Sequence, residues 1–349
     1  MSLTAYRTLG RSGLIVSPLA LGTMTFGMPR WGSDDQDSRA VFDAYLEAGG
    51  NFIDTADVYA GGRSEEWVGR FVAERHVRDQ VVLATKFGFN SARGNPHAGG
   101  NGRKHIYQAL EGSLRRLKTD YIDLYWLHVW DMVTPVEEVV QTLGDLVRSG
   151  QIRYFGFSDM PAWYTTKAVT LAQVHSIPGP VAMQLEYSLV ARRIEQEHVA
   201  AAQDGGLGII PWSPLAAGFL ANKYTRTRAG VQGEGRLSGP NPFGDSKFTA
   251  RNWAILDTLN SVAAEVDRPA AQVALAWLAA QSGVDSILVG ASRVSQLQEN
   301  LASRELTLSR DQMRMLNQIS ALDPNFPEGM FSETLRRTVF GGVDVKQWR

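Results

Sequence analysis

Apolar residues in this chain gather into short runs, and each run is followed by a longer stretch in which they recur every three or four positions. The runs read as strands buried on both faces, and the longer stretches read as amphipathic helices. Strand patterns fall at 19–23, around Phe52, and at 81–85, 123–127, 154–157, 182–185, 208–211 and 286–289. Helical patterns fall between them at 37–48, from Ser64 onward, and at 104–117, 136–149, 162–175 and 195–204, with two more at 253–266 and 270–281. Glu65 and Glu66 in the first turn after Ser64, and Gly150 after the 136–149 stretch, mark a helix start and a helix stop. Eight strands alternating with helices predict one closed (α/β)8 TIM barrel over residues 1–349. Ahead of it, residues 6–9 and 14–16 flank Gly10 and Gly13 as a small hairpin expected to plug the bottom of the barrel.

Two segments break the alternation. Residues 90–103 and 224–246 are rich in glycine and polar residues, long enough to act as lids over the mouth of a barrel. The tail after Asp323 carries Phe326, Phe331, Phe340 and Trp348, which predicts that it packs on the barrel. No strand-to-helix junction reads GxGxxG, so a doubly wound dinucleotide fold lacks its usual fingerprint.

Composition narrows the function classes. Lys plus Arg (35) nearly balances Asp plus Glu (36), and no basic stripe is interleaved with aromatics, which argues against nucleic acid as a partner. Cysteine is absent, so there is no disulfide framework and no thiolate zinc site, and no metal is expected; a cytoplasmic setting suits that composition. The amino terminus lacks an apolar leader core, and the apolar runs are far shorter than a membrane span.

Candidate chemistry starts from 51–59, NFIDTADVY. In parallel α/β folds the carboxyl ends of the strands carry the active site, and this stretch puts Asp54 and Tyr59 there. Taken alone, a carboxylate capping a turn beside a packed tyrosine explains it equally well. Lys86 after the 81–85 strand and His128 after the 123–127 strand change the balance, because in a barrel all three strand ends converge on one mouth. There Asp54 can pair with Lys86, the ammonium can lower the Tyr59 hydroxyl below its reference pKa near ~10, and His128 can orient a carbonyl oxygen. These four make a general acid with its tuning partners.

The motifs LALGTMTFG, FIDTADVYAGGRSEEWVG, TKFG, DYIDLYWLH, IRYFGFSD, QLEYSL, PWSPLAAGFLANKY and VGASRVSQLQEN, in that order, resemble the aldo-keto reductases over almost the whole chain. The resemblance implies an (α/β)8 barrel that binds NADPH across its mouth, with NADH as a possible substitute, and reduces a small-molecule carbonyl. The family's catalytic tetrad falls on Asp54, Tyr59, Lys86 and His128 without substitution. Its cofactor contacts imply Thr23 and Met24 beside the nicotinamide ribose, Ser158 and Gln184 on the carboxamide, and Trp212 stacked on the ring. Ser213, Pro214, Leu215 and Lys223 would follow the pyrophosphate, and Gly290, Ser292, Gln296, Glu299 and Asn300 the adenosine end. Two positions depart from the family: Asp159 replaces a common asparagine, and Gly290 and Ser292 stand where many members place a cationic clamp for the 2′-phosphate. Arg293 and Arg236 are the candidate replacements.

The adenosine motif is closer to that of the potassium-channel β subunits than to the steroid and sugar reductases, so a nucleotide-binding regulatory subunit is the alternative to an enzyme. A dehydratase or lyase using the same acid would turn over without oxidising nicotinamide. The intact tetrad favours catalysis. Met24, Phe26, Trp31 and Trp130 are candidate walls of the substrate pocket, and aromatic walls suit aldehydes, bulky ketones and keto-sugars alike.

Overall fold

The computed structural model describes residues 2–228, 230–239 and 247–345. Two short strands, β1 (Arg7–Thr8) and β2 (Ile15–Val16), form an antiparallel hairpin. They are followed by β3 (Leu19–Gly22), β4 (Phe52–Asp54), β5 (Val82–Phe87), β6 (Ile122–Leu127), β7 (Ile152–Ser158), β8 (Ala182–Glu186) and β9 (Gly208–Trp212). A second hairpin, β10 (Tyr224–Thr227) with β11 (Gly230–Gly233), precedes β12 (Ile287–Val289). Strands β3 to β9 pair in parallel in chain order, with β12 against β3. Ile209 closes the ring, donating its N–H to Gly283 at 2.9 Å and accepting that of Asp285 at 3.1 Å. The result is an (α/β)8 barrel.

The helices pack outside: α1 (Asp35–Glu47), α2 (Arg63–Arg75), α3 (Arg103–Leu117), α4 (Val136–Arg148), α5 (Ala162–Val174) and α6 (His198–Gly205) follow successive strands. After the second hairpin come α7 (Ala250–Glu265), α8 (Ala270–Ala279), α9 (Val294–Ala302), α10 (Arg310–Ile319) and α11 (Glu333–Val339). Outward strand residues such as Leu21, Ile53, Leu83, Tyr125 and Phe155 meet helix residues such as Phe42, Phe71, Leu110 and Leu143 in the larger core. Inward residues Ala20, Phe52, Ala84, Leu124, Trp126 and Ile210 fill the barrel, and Leu9, Leu14 and Val16 of the first hairpin join them. The hairpin thus plugs one end, as its pattern predicts. Its turn needs glycine at Gly10: φ is +54°, and a Cβ would lie 2.7 Å from backbone atoms of Val181, Gly206 and Gly208.

Three expectations change. The strand pattern ends at Thr85, but the β5–β6 ladder continues through Lys86 opposite Trp126 and Phe87 opposite Leu127. Lys86 therefore sits inside the strand, and Asp54 likewise closes β4. The tail does not pack as predicted: Phe326, Phe331 and Phe340 are 88%, 74% and 46% exposed, and Trp348 lies outside the described residues. Phe26 is buried against Phe71 at 6.4 Å and so faces the core rather than a pocket. No helix among the described residues is long and apolar enough to cross a membrane.

Candidate active site

The carboxyl ends of β4, β5 and β6 bring Asp54, Tyr59, Lys86 and His128 together. Asp54 ends β4, and the chain turns through Tyr59–Gly62, where Ala60, Gly61 and Gly62 all have positive φ, before α2 begins. That turn is held from behind. Ser64 Oγ donates to the Thr23 carbonyl at 2.8 Å, and the buried Glu65 carboxylate accepts Thr85 Oγ1 and Arg116 Nε, each at 2.6 Å.

Lys86 is fully buried. Its Nζ donates to Asp54 Oδ1, to the Thr55 carbonyl at 2.9 Å and to the Tyr59 hydroxyl at 3.3 Å. Gln184 Nε2 donates to the other Asp54 oxygen at 3.0 Å. His128 N–H donates to the Phe87 carbonyl at 2.8 Å, and the imidazole stands edge-on to Tyr59 with ring centres 5.9 Å apart. Its Nδ1 is buried without a hydrogen-bond partner among the described residues.

Burial opposes the Lys86 ammonium, but the Asp54 carboxylate and the Tyr59 oxygen outweigh it and hold the lysine above its ordinary pKa. Burial also pushes the Tyr59 phenol up; Lys86 pulls it back and Asp54 pushes it up again. The net direction is upward, contrary to the lowered value anticipated from the lysine alone. Tyr59 is consequently a fully protonated donor at neutral pH. Burial, joined by Lys86, drives His128 well below its ordinary value, so its imidazole is neutral and offers a hydrogen bond rather than a charge.

The proposed nucleotide contacts lie along the same rim. Ser158 ends β7 and Gln184 lies in β8; both are buried, as is Thr23 after β3, while Met24 is half-buried. Trp212 ends β9 half-buried and donates its indole N–H to Asp159 at 3.0 Å. Beyond Trp212, Ser213, Ala216, Ala217 and Gly218 all adopt positive φ around buried Pro214 and half-buried Leu215, and Ala217 N–H reaches Ser213 Oγ at 3.2 Å. The turn uses its own amides: Ala216 and Gly218 donate to the Ser213 and Leu215 carbonyls at 2.9 and 3.0 Å.

An anion beside Lys223 would relieve a repulsion. Burial lowers the Lys223 pKa, and neighbouring Arg293 lowers it further, with Glu299 opposing. Two cations within each other's electrostatic reach fit a phosphate-bearing ligand. Gly290 and Arg293 are exposed on either side of Ser292, whose N–H and hydroxyl bond Gln296 Oε1 at 3.0 and 3.1 Å. Glu299 is exposed and Asn300 buried, one turn further along α9. Arg236 lies across the mouth with its guanidinium 5.6 Å from the Trp31 ring, and its carbonyl accepts Arg30 at 3.4 Å, so residues 235–239 reach over the face as a lid would. The 90–103 loop is tied in by Asn101, whose backbone N–H donates to Asp131 at 2.8 Å and whose side chain donates to the Val129 carbonyl at 3.0 Å. Residues 229 and 240–246 of the second loop are outside the described set.

Trp130 packs against Trp163 and Tyr164 at 5.7 and 6.1 Å, on the α5 side. The aromatic nearest His128 is instead Phe89, edge-on at 4.9 Å and 42% exposed, which the sequence pattern does not single out because Gly88 separates it from the strand.

Asp57 is a second unforeseen feature. Its N–H donates to the Lys86 carbonyl at 3.1 Å, while its Oδ1 is buried without a partner among the described residues. Burial, then the Glu65 charge, push its carboxyl up to about 7, with Arg116 opposing. A carboxyl raised on folding lends stability below its ordinary pKa, and that stability fades as pH rises through about 7. Asp57→Asn is expected to leave stability in mild acid close to wild type and to add about 1–3 kcal/mol above neutrality, as read by thermal unfolding across pH.

Residues 18–321 match the Aldo/keto reductase family. The chain is 33% identical over 339 residues to the norsolorinic acid reductase of Aspergillus flavus, covering 94% of this chain and 84% of that one. It is 35% identical over 324 residues to the uncharacterized oxidoreductase YrpG of Bacillus subtilis, covering 90% and 95%. It is also 35% identical over 304 residues to a probable voltage-gated potassium channel subunit beta of Oryza sativa, covering 86% and 91%.

Proposed function

The chain belongs to the aldo/keto reductase family and is an oxidoreductase, and on that footing we propose that it reduces an aldehyde or ketone to an alcohol with NADPH, Tyr59 donating the proton. The observation that carries this reading is the shared lysine: Lys86 Nζ bonds Asp54 and Tyr59 at once, fixing an ammonium beside the phenol that also faces His128. A bound nicotinamide supplies the hydride. The substrate oxygen would lie between the Tyr59 hydroxyl and neutral His128, which polarises the carbonyl by a hydrogen bond and leaves proton delivery to the phenol. As Tyr59 gives up its proton, Lys86 stabilises the phenolate, and Asp54, itself held by Gln184, keeps the ammonium in place.

Ser158 and Gln184 would hold the carboxamide and Trp212 the ring, with Thr23 and Met24 beside the ribose. Ser213, Pro214, Leu215 and Lys223 would follow the pyrophosphate, Arg293 would meet the 2′-phosphate, and Ser292, Gln296, Glu299 and Asn300 the adenosine. NADPH is favoured over NADH because Arg293, exposed next to Ser292 and felt electrostatically at Lys223, is a cation beside the adenosine segment. A charge-assisted bond is worth roughly 1.5–3 kcal/mol, so Arg293→Ala is expected to weaken NADPH by about tenfold or more and leave NADH unchanged in equilibrium titrations. Equal losses for both nucleotides would mean that Arg293 does not read the 2′-phosphate.

The aromatic groups around the mouth, Phe89 and Trp31 among them, favour a carbonyl compound with a sizeable apolar body as substrate, and one relative is named for reducing norsolorinic acid. The channel-subunit relative keeps a second reading in play, a nucleotide-binding regulatory protein, which would bind NADPH without carbonyl turnover.

A further inference from the structure

Three carboxylates stand at the carboxyl ends of β4, β7 and β8. Two of them have a cation: Asp54 is bonded by Lys86, and Glu186 by Lys247 at 2.8 Å. Asp159 has none within salt-bridge distance among the described residues. Instead its Oδ1 accepts the Trp212 indole N–H at 3.0 Å, its Oδ2 faces the Ser158 hydroxyl at 3.5 Å, and its own N–H donates to the Gln184 carbonyl at 3.2 Å. The backbone at Asp159 is left-handed, with φ of +51°, a conformation aspartate tolerates better than most residues, and the Trp212 and Ser158 contacts hold the side chain over this junction. An uncompensated negative charge thus lies where Ser158, Gln184 and Trp212 meet.

We propose that Asp159 makes the nucleotide site selective for redox state, its carboxylate favouring the oxidised nicotinamide, whose ring is cationic, over the neutral reduced ring. This rests on the reading that the nicotinamide lies among Ser158, Gln184 and Trp212. The other charges around it are each bonded to a cation. Glu186, whose charge is felt at Asp159, is bonded by Lys247, and Asp54 beyond Gln184 by Lys86. A full charge facing another across a few ångströms of partly buried site shifts an equilibrium by about tenfold to a hundredfold. The consequence for reduction is direct. A site that holds the oxidised ring more tightly makes the bound reduced nucleotide a stronger hydride donor and slows release of the oxidised product.

The carboxyl of Asp159 is raised to about 6, chiefly by burial and then by the Glu186 charge, with the Trp212 N–H opposing, so it is ionised at neutral pH and loses its charge in mild acid. The test is calorimetric titration of NADP⁺ and NADPH, separately, into the wild-type protein and Asp159→Asn. At neutral to alkaline pH, the preference for NADP⁺ is expected to fall about tenfold or more in the variant. In the wild type alone, the same preference should shrink as pH falls through about 6, and taking the ratio cancels the phosphate titration common to both nucleotides. A ratio that stays within about twofold between the proteins, or equal losses for both nucleotides, would overturn the proposal and leave Asp159 an anchor for Trp212. If neither nucleotide binds the wild type, the placement of the nicotinamide fails first and the selectivity with it. Should Asp159→Asn not fold, the wild-type pH profile decides alone.

Discussion

Tyr59→Phe lowers carbonyl turnover by ~10²–10⁴-fold, the usual contribution of a positioned general acid, while leaving the fold and the nucleotide affinity within a few-fold of wild type. The substitution removes one hydroxyl and almost no volume. The ring keeps its edge-on contact with His128, and the Lys86 ammonium keeps Asp54 and the Thr55 carbonyl as acceptors. Only the donor is lost. Turnover is read by carbonyl-dependent oxidation of the nicotinamide and affinity by quenching of tryptophan fluorescence. Wild-type turnover in this variant would remove Tyr59 from the chemistry.

Lys86→Met has two effects, and they separate. The first is catalytic: without the ammonium, the phenolate that forms when Tyr59 gives up its proton loses the cation bonded to it, and turnover falls to about the level of Tyr59→Phe. The second is structural. Asp54 is only 1% exposed, and removing its partner leaves a buried charge uncompensated, which costs about 3–5 kcal/mol. The carboxyl answers by taking up a proton. A carboxyl whose folded pKa is raised contributes stability at low pH that is lost as pH rises through that pKa, so the variant should be nearest wild type in acid and least stable above neutrality. Adding Asp54→Asn removes the orphaned charge, restoring much of the stability and none of the turnover. Denaturant unfolding across pH, alongside the rate, distinguishes the two effects; a double variant that regains turnover would show that the lysine acts only through the fold.

Much of the barrel is legible because parallel strands covered on both faces must be apolar along their length, and runs such as VVLAT and DLYWL have few other uses. The same rule misplaces the strand end at Thr85, since a charged residue looks like the end of a buried run. Lys86 stays in the ladder because Asp54 neutralises it inside the barrel mouth. The tail misleads for a related reason: its aromatics look like core residues, yet Phe326 and Phe331 are largely exposed. Four site residues are readable from their positions at consecutive strand ends. Their electrostatics are not, because a lysine lowers a tyrosine pKa in sequence-level reasoning whatever surrounds it, whereas full burial of the pair reverses the net direction for Tyr59. Phe89 and Asp57 escape notice because one lies beyond a glycine and the other matters through what it fails to bond.

Hydride transfer to a carbonyl, with Tyr59 as the acid, is the activity proposed for this barrel. Its most direct test incubates the wild-type protein with NADPH deuterated at the transferable position and a panel of aldehydes, quinones, ketosteroids and keto-sugars, then weighs the products. The expected result is nicotinamide oxidation that requires a carbonyl compound, with deuterium on the carbinol carbon wherever the product is an alcohol. Tight NADPH binding with no carbonyl-dependent oxidation anywhere in the panel would contradict it and favour a regulatory nucleotide-binding protein.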